Sequence, residues 1–268
     1  LIMKITVFTS NHTRHNYLCN QLSEIADEIF IIQEAETLLV GKQVSGYKRQ
    51  SNYLFNHYKK IEKIEKKFFG EPFLNFSKKK VKILTMRLQD ISFLKKNKIK
   101  DFLKSDYYII FGCSFIKGPL CDFLLKKKAI NIHMGISPYY RGADCNFWAV
   151  YDKNPSLVGA TIQLLSKKLD DGLILYHATS DFHKDPFVYT MSTVKSAILS
   201  LKKYIKSEKR EKPINIKDKK QKQIRLSKMR QITDKILKKY SKIIIKKSDY
   251  TKIDLVRQSN LKLKNFYK

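Results

Sequence analysis

One stretch, residues 129–178, restricts the fold more than any other part of the chain: AINIHMGISPYYRGADCNFWAVYDKNPSLVGATIQLLSKKLDDGLILYHA. Short apolar runs alternate with polar breaks, which is the pattern of strands joined by tight loops. Residues 129–132 read as the end of a buried strand. Asn131 and His133 stand two apart, so on a strand they project from one face. Gly135, Pro138 and Gly142 then break the backbone into a loop. A helical run over 147–151, a strand over 158–165, the turn Leu169-Asp170-Asp171-Gly172 and a strand over 173–177 follow.

The chain before this stretch alternates strands and helices. Residues 4–8 and 28–33 read as strands around a helix over 14–25, the strand–helix–strand order of a parallel α/β sheet. The first turn has no G-x-G-x-x-G fingerprint, which argues against a dinucleotide cofactor. Arg14 and His15 lie near a helix N-terminus, where they form either an anion site or a solvated first turn capped by Asn11 or Thr13. Helical spacing recurs at Tyr53, Phe55, Tyr58 and Ile61, and the run IEKIEKK reads as a solvated helix face. A short strand over 81–85, a helix over 90–103, a central strand over 106–112 and a helix opened by Pro119 complete the first half. An amphipathic helix is expected over 186–205, residues 207–223 have linker composition, and a further helix is expected around 234–246. No internal repeat is present.

Composition narrows the classes. The chain has 268 residues, 43% of them hydrophobic, enough for a full core and a smaller appendage. No apolar run reaches the ~18 residues of a membrane span, and residues 1–8 read as the first core strand rather than a signal sequence. Cys19, Cys113, Cys121 and Cys145 show neither metal spacing nor the density of a disulfide framework, so reduced thiols, a cytoplasmic location and no metal are expected. The net charge is +30, carried by 46 lysines and only eight arginines. Bidentate phosphate recognition favours arginine. The charge is also uneven: residues 201–268 hold 24 basic and 6 acidic side chains, whereas 129–180 hold four of each. The surplus therefore belongs to the tail and not to the motif block.

Asn131-Ile132-His133, Ser137-Pro138-Tyr139-Tyr140-Arg141-Gly142, Gly159-Ala160-Thr161-Ile162 and Leu169-Asp170-x-Gly172, in that order, resemble the catalytic core of the formyltransferases that use 10-formyltetrahydrofolate. The resemblance is specific over residues 106–178. It implies an α/β fold with a Rossmann-like, mostly parallel sheet flanked by helices, in a catalytic domain over 1–185. Residues 186–268 are left as a helix, linker and small basic appendage. It further implies that Asn131, His133 and Asp170 are catalytic, with Asp170 chosen over Asp171 because it follows Leu169 as in the family pattern. Ser114, Phe115 and Ile116, with Asp170, would hold the folate donor; Phe115 and Ile116 read equally well as core. Ser137 either meets the acceptor or shapes the turn, Tyr139, Tyr140 and Arg141 would meet the acceptor, and Trp148 either joins them or packs in the core. Gln163 stands where many members carry His, Leu173 where many carry Pro, and Met134-Gly135-Ile136 replaces a commoner Pro-Ser-Leu-type sequence.

The expected reaction is transfer of a formyl group to a primary amine. Three acceptors compete: a nucleotide-linked amino sugar destined for surface polysaccharide, methionyl-tRNA and glycinamide ribonucleotide. The sugar is favoured because the tail is short and glycine-poor for the C-terminal barrel of a tRNA enzyme, and the purine enzyme is usually shorter. A non-catalytic RNA-binding protein on the same scaffold is the reading from a different class. A homodimer is left open. Since the tail's charge is separate from the motif block, truncation after about Ser207 is expected to spare activity on a small amine.

Overall fold

Alternate side chains of the central strands enter opposite cores, which requires a sheet covered on both faces. The computed structural model describes residues 2–36, 51–76, 80–207, 212–215, 223–228, 231–250, 255 and 259–260. In chain order its elements are β1 (Lys4–Ser10), α1 (Thr13–Ser23), β2 (Glu28–Ala35), α2 (Asn52–Phe69), β3 (Lys80–Arg87), β4 (Tyr107–Phe111), α3 (Gly118–Lys126) and β5 (Ile130–His133). Then come β6 (Tyr140–Gly142), α4 (Cys145–Tyr151), β7 (Ala160–Leu164), β8 (Ile174–Thr179), α5 (Pro186–Lys206), β9 (Arg225–Ser227), α6 (Asp234–Tyr240) and β10 (Ser259–Asn260).

The main sheet runs β10-β8-β7-β5-β4-β1-β2-β3. Its pairings are parallel except where β7 meets β5 and β8. This is the α/β, mostly parallel architecture expected from the sequence. Ile5, Val7, Ile29, Ile31, Ile109, Ile130 and Ile132 face one core with Leu18 and Leu22 of α1 and Ile198 and Leu201 of α5. Phe8, Ile32, Tyr108 and Ile110 face the other, with Leu120 and Leu124 of α3. Strand order reverses between β1 and β4, and in open α/β sheets ligands bind outside the carboxyl ends of strands at such a point.

Four expectations need correction. Residues 90–103 form three short 3₁₀ turns, Asp90–Phe93, Lys96–Ile99 and Asp101–Leu103, because only Ile91 and Ile99 are buried there and no apolar stripe supports an α-helix. The strand expected over 81–85 extends to Lys80–Arg87 as the outer edge of the sheet. The IEKIEKK face is not wholly solvated: Glu65 is buried and ion-paired with Arg14. That pair removes the anion site at α1. His15 is also buried, bonded to the Ser10 hydroxyl, and burial drives its pKa well down; neither Asn11 nor Thr13 caps the helix.

The tail does not stand apart. α5 lies in the central core, and Leu237 and Tyr240 of α6 join a third cluster with Tyr140, Phe147, Trp148 and Phe187. Tyr240 stacks on Phe147 with ring centroids 4.0 Å apart. Most of the expected linker over 207–223 lies outside the described residues, but beyond it β9 pairs in parallel with β6. Tyr140↔Arg225, Arg141↔Leu226 and Gly142↔Ser227 are the partners. The basis for a dispensable tail, its separation from the motif block, is absent. Tyr240→Ala is expected to destabilise the protein by about 3 kcal/mol within one cooperative urea transition; an early, separate transition confined to the tail would show that 186–268 folds as an independent unit.

Candidate functional site

The antiparallel half of the sheet carries a polar face. β5 pairs with β7 so that Asn131 opposes Gln163 and His133 opposes Thr161, and β7 pairs with β8 so that Thr161 opposes His177. Directly opposed residues share a face, so these five side chains line one surface while Ile130, Ile132 and Ile162 face the core behind it. The loop over 134–139 is tied down onto this surface. Thr161 Oγ1 accepts from the Ser137 amide at 2.9 Å and donates to the Gly135 carbonyl at 2.6 Å. His177 Nε2 lies 3.2 Å from the Ser137 carbonyl.

Asp170 closes the arrangement. Its carboxylate lies 3.3 Å from His133 Nδ1, accepts from the Asn131 side-chain amide at 3.3 Å and accepts from the Gly142 main-chain amide at 3.0 Å. Asp170 holds a left-handed backbone conformation with φ 47°, a setting that aspartate tolerates better than most residues. The approach depends on neighbouring glycines. A Cβ on Gly172 would stand 1.8 Å from the Leu164 carbonyl oxygen, and one on Gly142, at φ 93°, would stand 2.0 Å from that of Ser227.

The electrostatics follow from burial and partners. Burial alone would lower the His133 pKa. The Asp170 carboxylate, with Cys145 and the Tyr140 carbonyl 2.9 Å from Nε2, outweighs it and raises the value to about 9. Both ring nitrogens face acceptors, so at neutral pH the group is an imidazolium held as a fixed positive charge. His177, on the same face, goes the other way: burial first, and then the charge of His133 against the opposing Ser137 carbonyl bond, bring it to about 4. One face therefore holds a charged and a neutral imidazole.

The expected site residues separate into three groups. Asn131, His133 and Asp170 come together as the motif spacing implied. Ser137 joins them by donating its hydroxyl to the Asp170 carbonyl at 3.2 Å. Arg141 holds the same turn, with Nε donating to the Leu169 carbonyl at 3.0 Å and Nη1 3.5 Å from the Asp171 carboxylate. Tyr140 is fully buried, its hydroxyl set between Asp152 and Asn154, so its carbonyl and not its ring serves the centre. Tyr139 is half-buried and its carbonyl accepts from Ile224 and Arg225. In the β4–α3 loop, Ile116 is core, Phe115 is exposed, and the Ser114 amide donates to Glu34. Trp148 packs in the third cluster. Thr161, His177 and the Gly142 amide went unread in the sequence, although period-two spacing from Asn131 and His133 across the neighbouring strands would have marked the first two.

A half-open cavity of about 220 Å³ flanks the same turn, lined in part by Leu125, Lys128, Leu165, Asp171 and Gly172. It is below the ~300 Å³ at which small-molecule pockets begin, and Ser114, Phe115 and Ile116 are not among its walls. Among the described residues no group of three or more His, Cys, Asp and Glu side chains is arranged to hold a metal ion, and no helix is long and apolar enough to cross a membrane.

No protein-family model and no curated protein matches the chain. Among solved structures, it is similar to phosphoribosylglycinamide formyltransferase from Anaplasma phagocytophilum, with 14% identity over 77% of this chain and 86% of that one, at a TM-score of 0.49. A sugar N-formyltransferase from Shewanella is 15% identical over 90% of this chain and 88% of its own, at 0.46. An N-formyltransferase from Helicobacter canadensis, in complex with folinic acid and dTDP-3-aminofucose, is 11% identical over 89% and 79%, also at 0.46.

Proposed function

We propose that the chain transfers a formyl group from 10-formyltetrahydrofolate to a primary amine, with a nucleotide-linked amino sugar as the acceptor. The observation that carries this reading is the convergence of Asn131, His133 and Asp170 on one carboxylate-centred cluster, in the motif order that resembles the formyltransferases. Attack of the amine nitrogen on the formyl carbon places negative charge on the formyl oxygen. Asp170 takes one N–H of the Asn131 amide, and the other is left to donate to that oxygen. The His133 imidazolium supplies a fixed positive charge beside it. Collapse breaks the bond from carbon to the folate nitrogen. The amine must lose a proton and the departing nitrogen must gain one, and Asp170, beside the imidazolium, is the group able to carry it. Ser114 and Phe115 remain the proposed edge of the donor site, with Ile116 behind them in the core; Ser137, Tyr139, Tyr140 and Arg141 shape the acceptor side, Arg141 and Tyr140 through the backbone they hold.

The amino sugar is preferred over methionyl-tRNA because only eight of the chain's 54 basic side chains are arginines, and two-pronged phosphate recognition favours arginine. A polyanionic acceptor requires a basic surface continuous with the centre, and its binding weakens steeply with salt.

Asn131→Ala and Asp170→Ala are each expected to lower turnover by at least ~10²-fold in folded protein, with Asp171→Ala losing far less; the reverse ranking of the two aspartates would refute the assignment. Turnover should hold up to pH 8 and decline as His133 loses its proton near 9. A rate that instead rises through that window would make His133 a base. The donor should be converted to tetrahydrofolate only when an amine is present. At ~150 mM salt, efficient methionyl-tRNA formylation that falls by orders of magnitude from its low-salt value would replace the sugar reading.

A further inference from the structure

We infer that β9 of the lysine-rich tail is a positioning element of the reaction centre and that Arg225 is its anchor, an inference that rests on the formyl-transfer reading above. Two main-chain groups of β6 touch the centre: the Tyr140 carbonyl accepts from His133 Nε2 at 2.9 Å, and the Gly142 amide donates to Asp170 at 3.0 Å. β6 lies outside the main sheet, and its strand partner is β9. The pairing continues at both ends, where the Ile224 and Arg225 amides donate to the Tyr139 carbonyl at 2.9 and 3.0 Å and the Ala143 amide donates to the Ser227 carbonyl at 3.1 Å. The Ser227 hydroxyl donates to the Ala143 carbonyl.

A three-residue strand does not stay in place by its backbone alone, so something must pin it. Arg225 forms a two-pronged bond with Asp152, Nε to Oδ2 at 2.9 Å and Nη2 to Oδ1 at 2.7 Å. Its guanidinium lies 4.3 Å from the centre of the Trp148 ring. Asp152 Oδ2 also accepts from the Tyr140 hydroxyl at 3.2 Å. The fork therefore binds the tail to the residue whose carbonyl holds His133. Such planar, two-pronged recognition belongs to arginine and is not reproduced by lysine. The contact between Gly142 and the Ser227 carbonyl leaves no room for a Cβ, so the two strands are in contact at the position that donates to Asp170. Arg225 touches no reacting atom; it acts through Asp152, Tyr140 and Gly142.

The test reads His133 directly and needs no substrate. The groups facing its ring are Asp170 from the β7–β8 turn, Cys145 from α4 and His177 from β8. Ring-proton NMR of the full chain, with His133 assigned from its loss in His133→Gln, should show titration near 9 in the unaltered protein. Arg225→Ala should lower that midpoint by about one pH unit or more, and Arg225→Lys by less. Asp152→Asn, a smaller perturbation, should shift it in the same direction. Ile99→Val, in the core beside Phe8, Ile32 and Tyr108, should leave it in place. An unchanged midpoint in folded Arg225→Ala, an equal shift in Ile99→Val, or failure of all three strap variants to fold would overturn the positioning role. In turnover assays the same variants should lose kcat by about 10-fold with little change in the KM of the donor. Absence of formyl transfer in the unaltered protein would defeat the functional reading while leaving the titration result to decide the strap.

Discussion

The site depends on a single, largely covered carboxylate, that of Asp170. Asp170 receives an imidazolium, an amide side chain and a main-chain N–H from two separate parts of the chain: two neighbours on β5 and the end of β6. A buried charge is tolerated only when paired and hydrogen-bonded, and here each charge is the other's counter-ion. Without Asp170 the imidazole would lose the partner that offsets its burial, and Asn131 would lose the bond that aims it. The other polar groups nearby serve this pair indirectly. Arg141 holds the Leu169 carbonyl, Ser137 holds the Asp170 carbonyl, and Thr161 and His177 hold Ser137.

The sheet explains why these groups meet where they do. Its parallel strands β4, β1 and β2 are buried on both faces and read as apolar runs. The antiparallel half, β5-β7-β8, is apolar on one side only. Its other side is the natural floor for a polar site, and register places Asn131, His133, Thr161, Gln163 and His177 on it together. The two imidazoles show how far position decides chemistry. His133 faces a carboxylate that outweighs its burial and is driven up to about 9, while burial and the charge of that same His133 drive His177 down to about 4 against the pull of the Ser137 carbonyl.

What could be read in the sequence was whatever had a period or a fixed motif order. The strands, α1, α3 and α5 show apolar spacing, and Asn131 and His133 declare a shared face by standing two apart. Asp170 could be chosen over Asp171 only through the Leu-Asp-x-Gly pattern, because nothing local distinguishes two adjacent carboxylates in a turn. Features built by single long-range contacts left no such trace. Glu65 sits in a run that looks solvated, yet it turns inward to Arg14. Residues 90–103 have helix-length spacing between breaks but bury only Ile91 and Ile99, so the backbone settles into 3₁₀ turns. β9 is three residues long in a lysine-rich segment and has no periodicity at all.

The tail shows how composition can mislead about function. A net surplus of basic residues invites a reading in terms of polyanionic partners or proteome bias, and both treat the segment as a carrier of charge. In the structure one of the chain's eight arginines, Arg225, is turned inward to a carboxylate and an indole ring. The tail's total charge and its structural contribution are therefore separate properties. The first is spread over many exposed side chains and is screened by salt. The second rests on one geometrically specific pair and on a row of main-chain bonds that salt screens far less. A segment can be generic in composition and still complete the site, provided that the residue fixing its register is of a type its neighbours cannot replace.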